Sequence, residues 1–113
     1  MNKPNIEAEQ FFSVDMRVGT ILSAERFAKA KKPAYQLTID FGPLGIRHSS
    51  AQITQRYQPN DLIGRQVVAV VNLPPRNIAG FSSEVLVLGS MGEDGDVILL
   101  RPDERAENGS PIG

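Results

Sequence analysis

The chain has no cysteine, no tryptophan and a single histidine among its 113 residues. Without thiols there is no disulfide framework and no cysteine nucleophile, and one imidazole cannot build a Cys/His zinc site. Long apolar runs are missing too: the longest, Val67 to Val71, is bounded by Gln66 and Asn72 and is far too short to span a bilayer. Met1 to Phe12 mixes Asn, Lys, Pro, Glu and Gln and lacks the apolar core of a signal peptide, so a soluble, cytoplasmic protein without membrane insertion is expected. An excess of one charge is also lacking. Twelve Lys+Arg stand against 13 Asp+Glu, a net charge of -1 that argues against a uniformly basic nucleic-acid binder. The balance is uneven along the chain, however. From Arg26 to Arg76 there are eight basic and two acidic residues, and the remainder holds four basic and eleven acidic ones, so a basic binding face is compatible with near-neutrality.

The length is that of one small domain (1–113), with residues 1–12 an N-terminal extension and 102–113 a polar tail in which Ile112 is the one apolar anchor. The apolar pattern has mostly period two, as half-buried strands require. Tyr35, Leu37, Ile39 and Phe41 share one face, with Gln36, Thr38 and Asp40 on the other. Further strands are expected over Arg17 to Phe27, Ile46 to Ser50, Gln66 to Val71, Glu84 to Leu88 and Val97 to Leu100. Gly19 marks a bulge or a coil of the first of these, and Asp94-Gly95 a tight hairpin. Between the third and fourth strands, Ser50 as N-cap with Ala51, Ile53 and Tyr57 at helix-like spacing predicts a short helix, limited by Pro59. Three strands, a short helix and two or more strands is the order of an all-β, five-stranded Greek-key barrel, the OB-fold, here with extra C-terminal strands; a small SH3-like barrel is the alternative on pattern.

In an OB-fold, ligands use the face flanked by the first-to-second and fourth-to-fifth strand loops. The first loop, Ala28 to Pro33, gathers Lys29, Lys31 and Lys32, which serve either as a solvated turn or as a cationic contact. The second, Leu73 to Ser82, sets Leu73, Ile78 and Phe81 among two prolines and a glycine around Arg76. Prolines hold apolar side chains at reduced entropic cost, so this loop is a docking surface, a plug on the barrel end, or part of a subunit interface. Catalytic chemistry has little to work with. His48 has no partner carboxylate nearby in sequence, Ser82 and Ser83 lack an activating base, and Glu93, Asp94 and Asp96 do not follow calcium-loop spacing. No phosphate-cradling or dinucleotide motif is present, so no cofactor, no metal and no enzymatic activity are expected.

The segments Asp15 to Ile21, Ser50 to Thr54 and the run VNLPPRNIAGFSSEVLVLG resemble the tRNA-binding-domain family of OB-folds. That family includes free-standing tRNA-binding proteins, appended domains of aminoacyl-tRNA synthetases and export-associated chaperones, and the likeness to the chaperone branch runs from about Phe12 to Gly113. Asn72, Pro75, Arg76, Gly80 and Ser83 fit the pattern of the tRNA-binding branch. Pro74, Ala79 and Leu86 stand where that branch commonly has Lys, Arg and Met, and two lost cations favour peptide over RNA. The resemblance implies a homodimer that binds unfolded or precursor polypeptides and supports their export without ATP hydrolysis, with tRNA as the alternative partner and export machinery as a further one. Its implied ligand-facing residues are Asn72, Pro75, Arg76, Ile78, Phe81 and Ser83, with Arg17, Ser49 and Gln52 from the barrel face and Lys29, Lys31 and Lys32 from the first loop.

Overall fold

The structure, a computed structural model, describes residues 2–113. Period-two patterning becomes strands wherever one face can be buried. β1 (Met16–Arg26), β2 (Tyr35–Asp40), β3 (Ile46–Ala51), β4 (Gln66–Val70) and β7 (Leu86–Val87) form one antiparallel sheet in the order β3-β2-β1-β4-β7. The two ends of this sheet meet: the Glu84 amide donates to the His48 carbonyl at 2.8 Å, and the Ser49 hydroxyl donates to the Val85 carbonyl at 2.9 Å. The result is the nearly closed five-stranded barrel expected from the strand order. Tyr35, Leu37, Ile39 and Phe41 fill it, all with no exposed surface, together with Ile21, Leu62, Val67 and Ala69.

Gly19 is not the bulge. The register shifts between Ile21 and Ser23, leaving Leu22 unpaired, whereas Gly19 is opposite Val67 in regular pairing. Its missing side chain serves packing, since a Cβ there would lie 2.6 Å from Ile39 Cγ2 and 2.7 Å from Phe41 Cε1.

The helix expected over Ser50 to Tyr57 does not form. Ser50 and Ala51 continue β3, opposite Gln36 and Tyr35, and the helix that does follow the third strand is α2 (Pro59–Leu62). Pro59 opens that helix rather than closing one: it holds Gln58 extended (φ -90°, ψ 155°) and occupies the first turn, where its missing N–H is not needed. Ile53 and Tyr57 are nonetheless core residues, and the Tyr57 hydroxyl accepts from the Leu99 amide at 3.0 Å.

Two hairpins decorate the barrel. β8 (Gly89–Met91) and β9 (Val97–Leu99) are joined through Asp94 and Gly95, both with positive φ. β5 (Arg76–Ile78) and β6 (Phe81–Ser83) lie within the β4–β7 connection, turning at Ala79 and Gly80 with φ of 49° and 86°, the left-handed pair that a two-residue hairpin turn demands. The polar tail is anchored by backbone pairing rather than by Ile112, which is half-exposed. Val18, Gly109 and Ile112 exchange main-chain hydrogen bonds with Ser110, Val18 and Met16 along β1, and the Gln66 side-chain amide bonds both main-chain groups of Ala106. At the other end, α1 (Ala8–Phe12) buries none of its residues.

Candidate functional site

The β5–β6 hairpin turns one face towards the barrel. Cross-strand partners share a face, so Arg76, Ile78, Phe81 and Ser83 point inward, and Asn77 and Ser82 point out. Three side chains, Phe81, Ser83 and Glu84, hold it there. The Phe81 ring meets Phe27 edge-on at 5.4 Å between centroids and His48 at 6.1 Å. The Ser83 hydroxyl accepts from the Ser50 amide at 2.9 Å, occupying an N–H on the outer edge of β3. Glu84, at the foot of the hairpin, takes both the main-chain N–H of His48 at 2.9 Å and its Nδ1 at 3.1 Å. His48 therefore does have a carboxylate partner, supplied from 36 residues away, but its task is to clasp the hairpin to β3.

Between hairpin and barrel lie adjoining clefts. One, of about 380 Å³, is walled by Leu73, Pro74, Pro75, Val85 and Leu86, with Ile78 and Arg76 on its hairpin side and Ser50, Ser83 and Glu84 at its base. A second, of about 430 Å³, is lined by Lys29, Lys31, Lys32, Gln52 and Arg76 together with smaller residues and Ile78. Arg76, Ile78 and Ser50 belong to both. A third depression, of about 410 Å³, runs along Phe27, Lys29 and Gln36 to Phe81 at the hairpin tip.

The fold thus brings together Lys29, Lys31, Lys32, Gln52, Pro75, Arg76, Ile78 and Ser83, with Phe81 at the margin. Three other expected site residues are engaged elsewhere. Arg17 is ion-paired with Asp15 at 2.6 Å and donates to the Gly109 carbonyl. Asn72 fastens the N-terminal segment, accepting from the Asp15 amide and donating to the Ser13 carbonyl. Ser49 is 1% exposed, with its hydroxyl committed to Val85. Ser50, Val85 and Phe27 are site residues that the sequence pattern does not single out. Ser50 reads as a helix cap, and Phe27 and Val85 read as ordinary strand residues until the hairpin folds over them.

The family model described as "Putative tRNA binding domain" matches residues 16–111. Among curated proteins, the methionine--tRNA ligase of Methanothrix thermoacetophila is 41% identical over 110 residues and that of Bacteroides fragilis 36%; each match takes in 97% of this chain but 16% of the ligase, so the chain spans about a sixth of their length. Among solved structures, the chaperone CsaA of Bacillus anthracis is 55% identical with a TM-score of 0.94, over 97% of this chain and 100% of that one. The CsaA chaperone protein of Picrophilus torridus is 48% identical with a TM-score of 0.91, over 96% of this chain and 100% of that one. A MetRS-related protein of Pyrococcus horikoshii is 28% identical with a TM-score of 0.87, over 98% and 100%. These matches are to a tRNA-binding domain and to chaperones rather than to catalytic domains. Barrel order, hairpin and family match agree: the chain belongs to the tRNA-binding domain family and, within it, resembles the CsaA chaperones along almost its whole length.

Proposed function

We propose that the chain is an export-associated chaperone that binds unfolded or precursor polypeptides beneath the β5–β6 hairpin, in the cytoplasm, as a homodimer and without ATP hydrolysis. The observation that carries this reading is the cleft of about 380 Å³ walled by Leu73, Pro74, Pro75, Val85 and Leu86. Leu73 and Leu86 remain about half exposed there, so apolar surface is left for a partner to cover. Two consecutive prolines stiffen the wall, which limits the ordering cost of binding. An extended chain suits such a site because alternate side chains enter while the rest stay solvated. Ile78→Asp puts a charge where the clefts meet. A dye-labelled unfolded precursor segment should bind this variant at least tenfold more weakly by anisotropy, with thermal melting little changed because Ile78 is only partly buried. Equal affinity would refute the site.

A second reading, tRNA or structured-RNA binding, is favoured by one observation: Lys29, Lys31, Lys32 and Arg76 line one cleft. Four cations engaging phosphates predict a slope of log affinity on log salt of about -3. Absence of tRNA binding at low salt would exclude this reading.

A further inference from the structure

We infer that the preferred polypeptide segment is apolar with an acidic flank, its first carboxylate two to four residues from the apolar anchor. This deepens the chaperone reading and rests on it.

The two clefts differ in chemistry and share a border. The apolar one has a single acidic residue, Glu84, whose Oε1 already accepts from His48. No carboxylate lines the basic one, and none of Lys29, Lys31, Lys32 and Arg76 takes part in an ion pair; among the described residues the pairs are Arg17–Asp15, His48–Glu84 and Arg56–Asp96. Four like charges around one groove repel one another, and an anion relieves that repulsion.

Arg76 and Ile78 set the spacing. They are two residues apart on one face of β5, and both clefts include them. At about 3.3 Å per residue, an extended chain with an apolar side chain in one cleft reaches the other within about two to four residues. Nucleic acid satisfies only half of this arrangement. A sugar–phosphate backbone gains nothing from a wall of Leu73, Pro74, Pro75 and Leu86, and no aromatic face lines either cleft for base stacking. Phe81 is itself packed edge-on against Phe27 and His48.

Dye-labelled peptides with one common leucine anchor separate the possibilities. They carry Glu, Gln or Lys at two to four residues from the anchor on either side, and one carries Glu nine residues away. The near-Glu peptide should bind the intact protein about five- to tenfold more tightly than the Gln peptide in 50 mM salt. The Lys peptide should bind more weakly than either, and the distant-Glu peptide should match Gln. In 500 mM salt, or in Lys29→Gln/Lys31→Gln/Lys32→Gln, the spread between the Glu, Gln and Lys peptides should fall below twofold. Equal binding of the near-Glu and Gln peptides overturns the acidic preference and leaves the chaperone reading standing. No binding by any peptide overturns both. Displacement of the near-Glu peptide by single-stranded RNA at lower concentration than by unlabelled peptide assigns the basic cleft to nucleic acid and overturns the inference.

Discussion

At Gly19 the missing side chain lets the Ile39 and Phe41 side chains pack directly against β1. Gly19→Ala places a methyl group inside the contact distances of Ile39 and Phe41, both fully buried. Overpacking of this kind costs about 2 kcal/mol, which lowers Tm by about 8 °C for a chain of this size. Calorimetry checks it, and an unchanged Tm would mean the barrel yields there. The Arg56–Asp96 pair makes a different kind of prediction. Hydrogen bonds from the Arg56 guanidinium, foremost, and its charge hold the Asp96 carboxyl below the usual range and raise the guanidinium in turn. A carboxyl lowered in the folded state adds stability that is present above its unfolded pKa, about 4, and disappears as pH falls through the lower folded value. Arg56→Gln should move the Asp96 midpoint upward in a carbon-detected NMR titration, and an unmoved midpoint would refute the pairing. The same scale shows the limits of residue type as a guide. Ser49 and Asn72 have the polar chemistry of a ligand site, but their partners come from distant segments, Val85 and Ser13, that spacing along the chain does not reveal, and Arg17 is held both by its neighbour Asp15 and by the distant Gly109.

Among the elements, the strands were the most legible. Tyr35 to Asp40 alternates without interruption, and its side chains alternate between fully buried and half-buried. Ala51, Ile53 and Tyr57 are all buried and so mimic a helical face in the sequence, whereas β-pairing with β2 claims Ser50 and Ala51. The β5–β6 hairpin was legible as a rigid apolar loop, not as a pair of strands, because its turn uses Ala79 where Asn or Gly would signal the left-handed conformation. Its inward face joins two of the alternatives left open by sequence: Phe81 packs on the barrel while Ile78 borders the clefts. Phe81→Ala removes the edge contacts to Phe27 and His48. Amides of the hairpin should then exchange faster by at least tenfold, with those of β1 and β2 unchanged, and precursor capture should weaken several-fold. Uniform acceleration across the barrel would show that the hairpin is not a separately stabilised unit.

For the whole molecule, the segregation of charge along the chain becomes only partly a segregation in space. Of the eight basic residues between Arg26 and Arg76, Lys29, Lys31, Lys32 and Arg76 line the basic cleft, whereas Arg56 is neutralised by Asp96 from the acidic C-terminal part and Arg26 and Arg65 lie over the rings of Tyr35 and Tyr57. The basic surface is therefore more local than the sequence count suggests. The proposed homodimer has its own test at this scale. α1 buries none of its residues, and Ile6, Phe11 and Phe12 are exposed, so a second copy covering them would remove this apolar surface from water. Sedimentation should give twice the 12.3 kDa chain mass, and Phe12→Asp should reduce it to one chain mass; a wild-type monomer at micromolar concentration would refute the assembly.

Polypeptide bound beneath the β5–β6 hairpin leaves a residue-resolved footprint on the protein. Backbone NMR shifts of the labelled protein, followed while an unfolded precursor segment with an acidic flank is added, should change over 29–32, 50–52 and 73–86 and leave 101–112 still. Shifts confined to other surfaces, or none at saturating peptide, would show that the hairpin clefts do not hold the polypeptide.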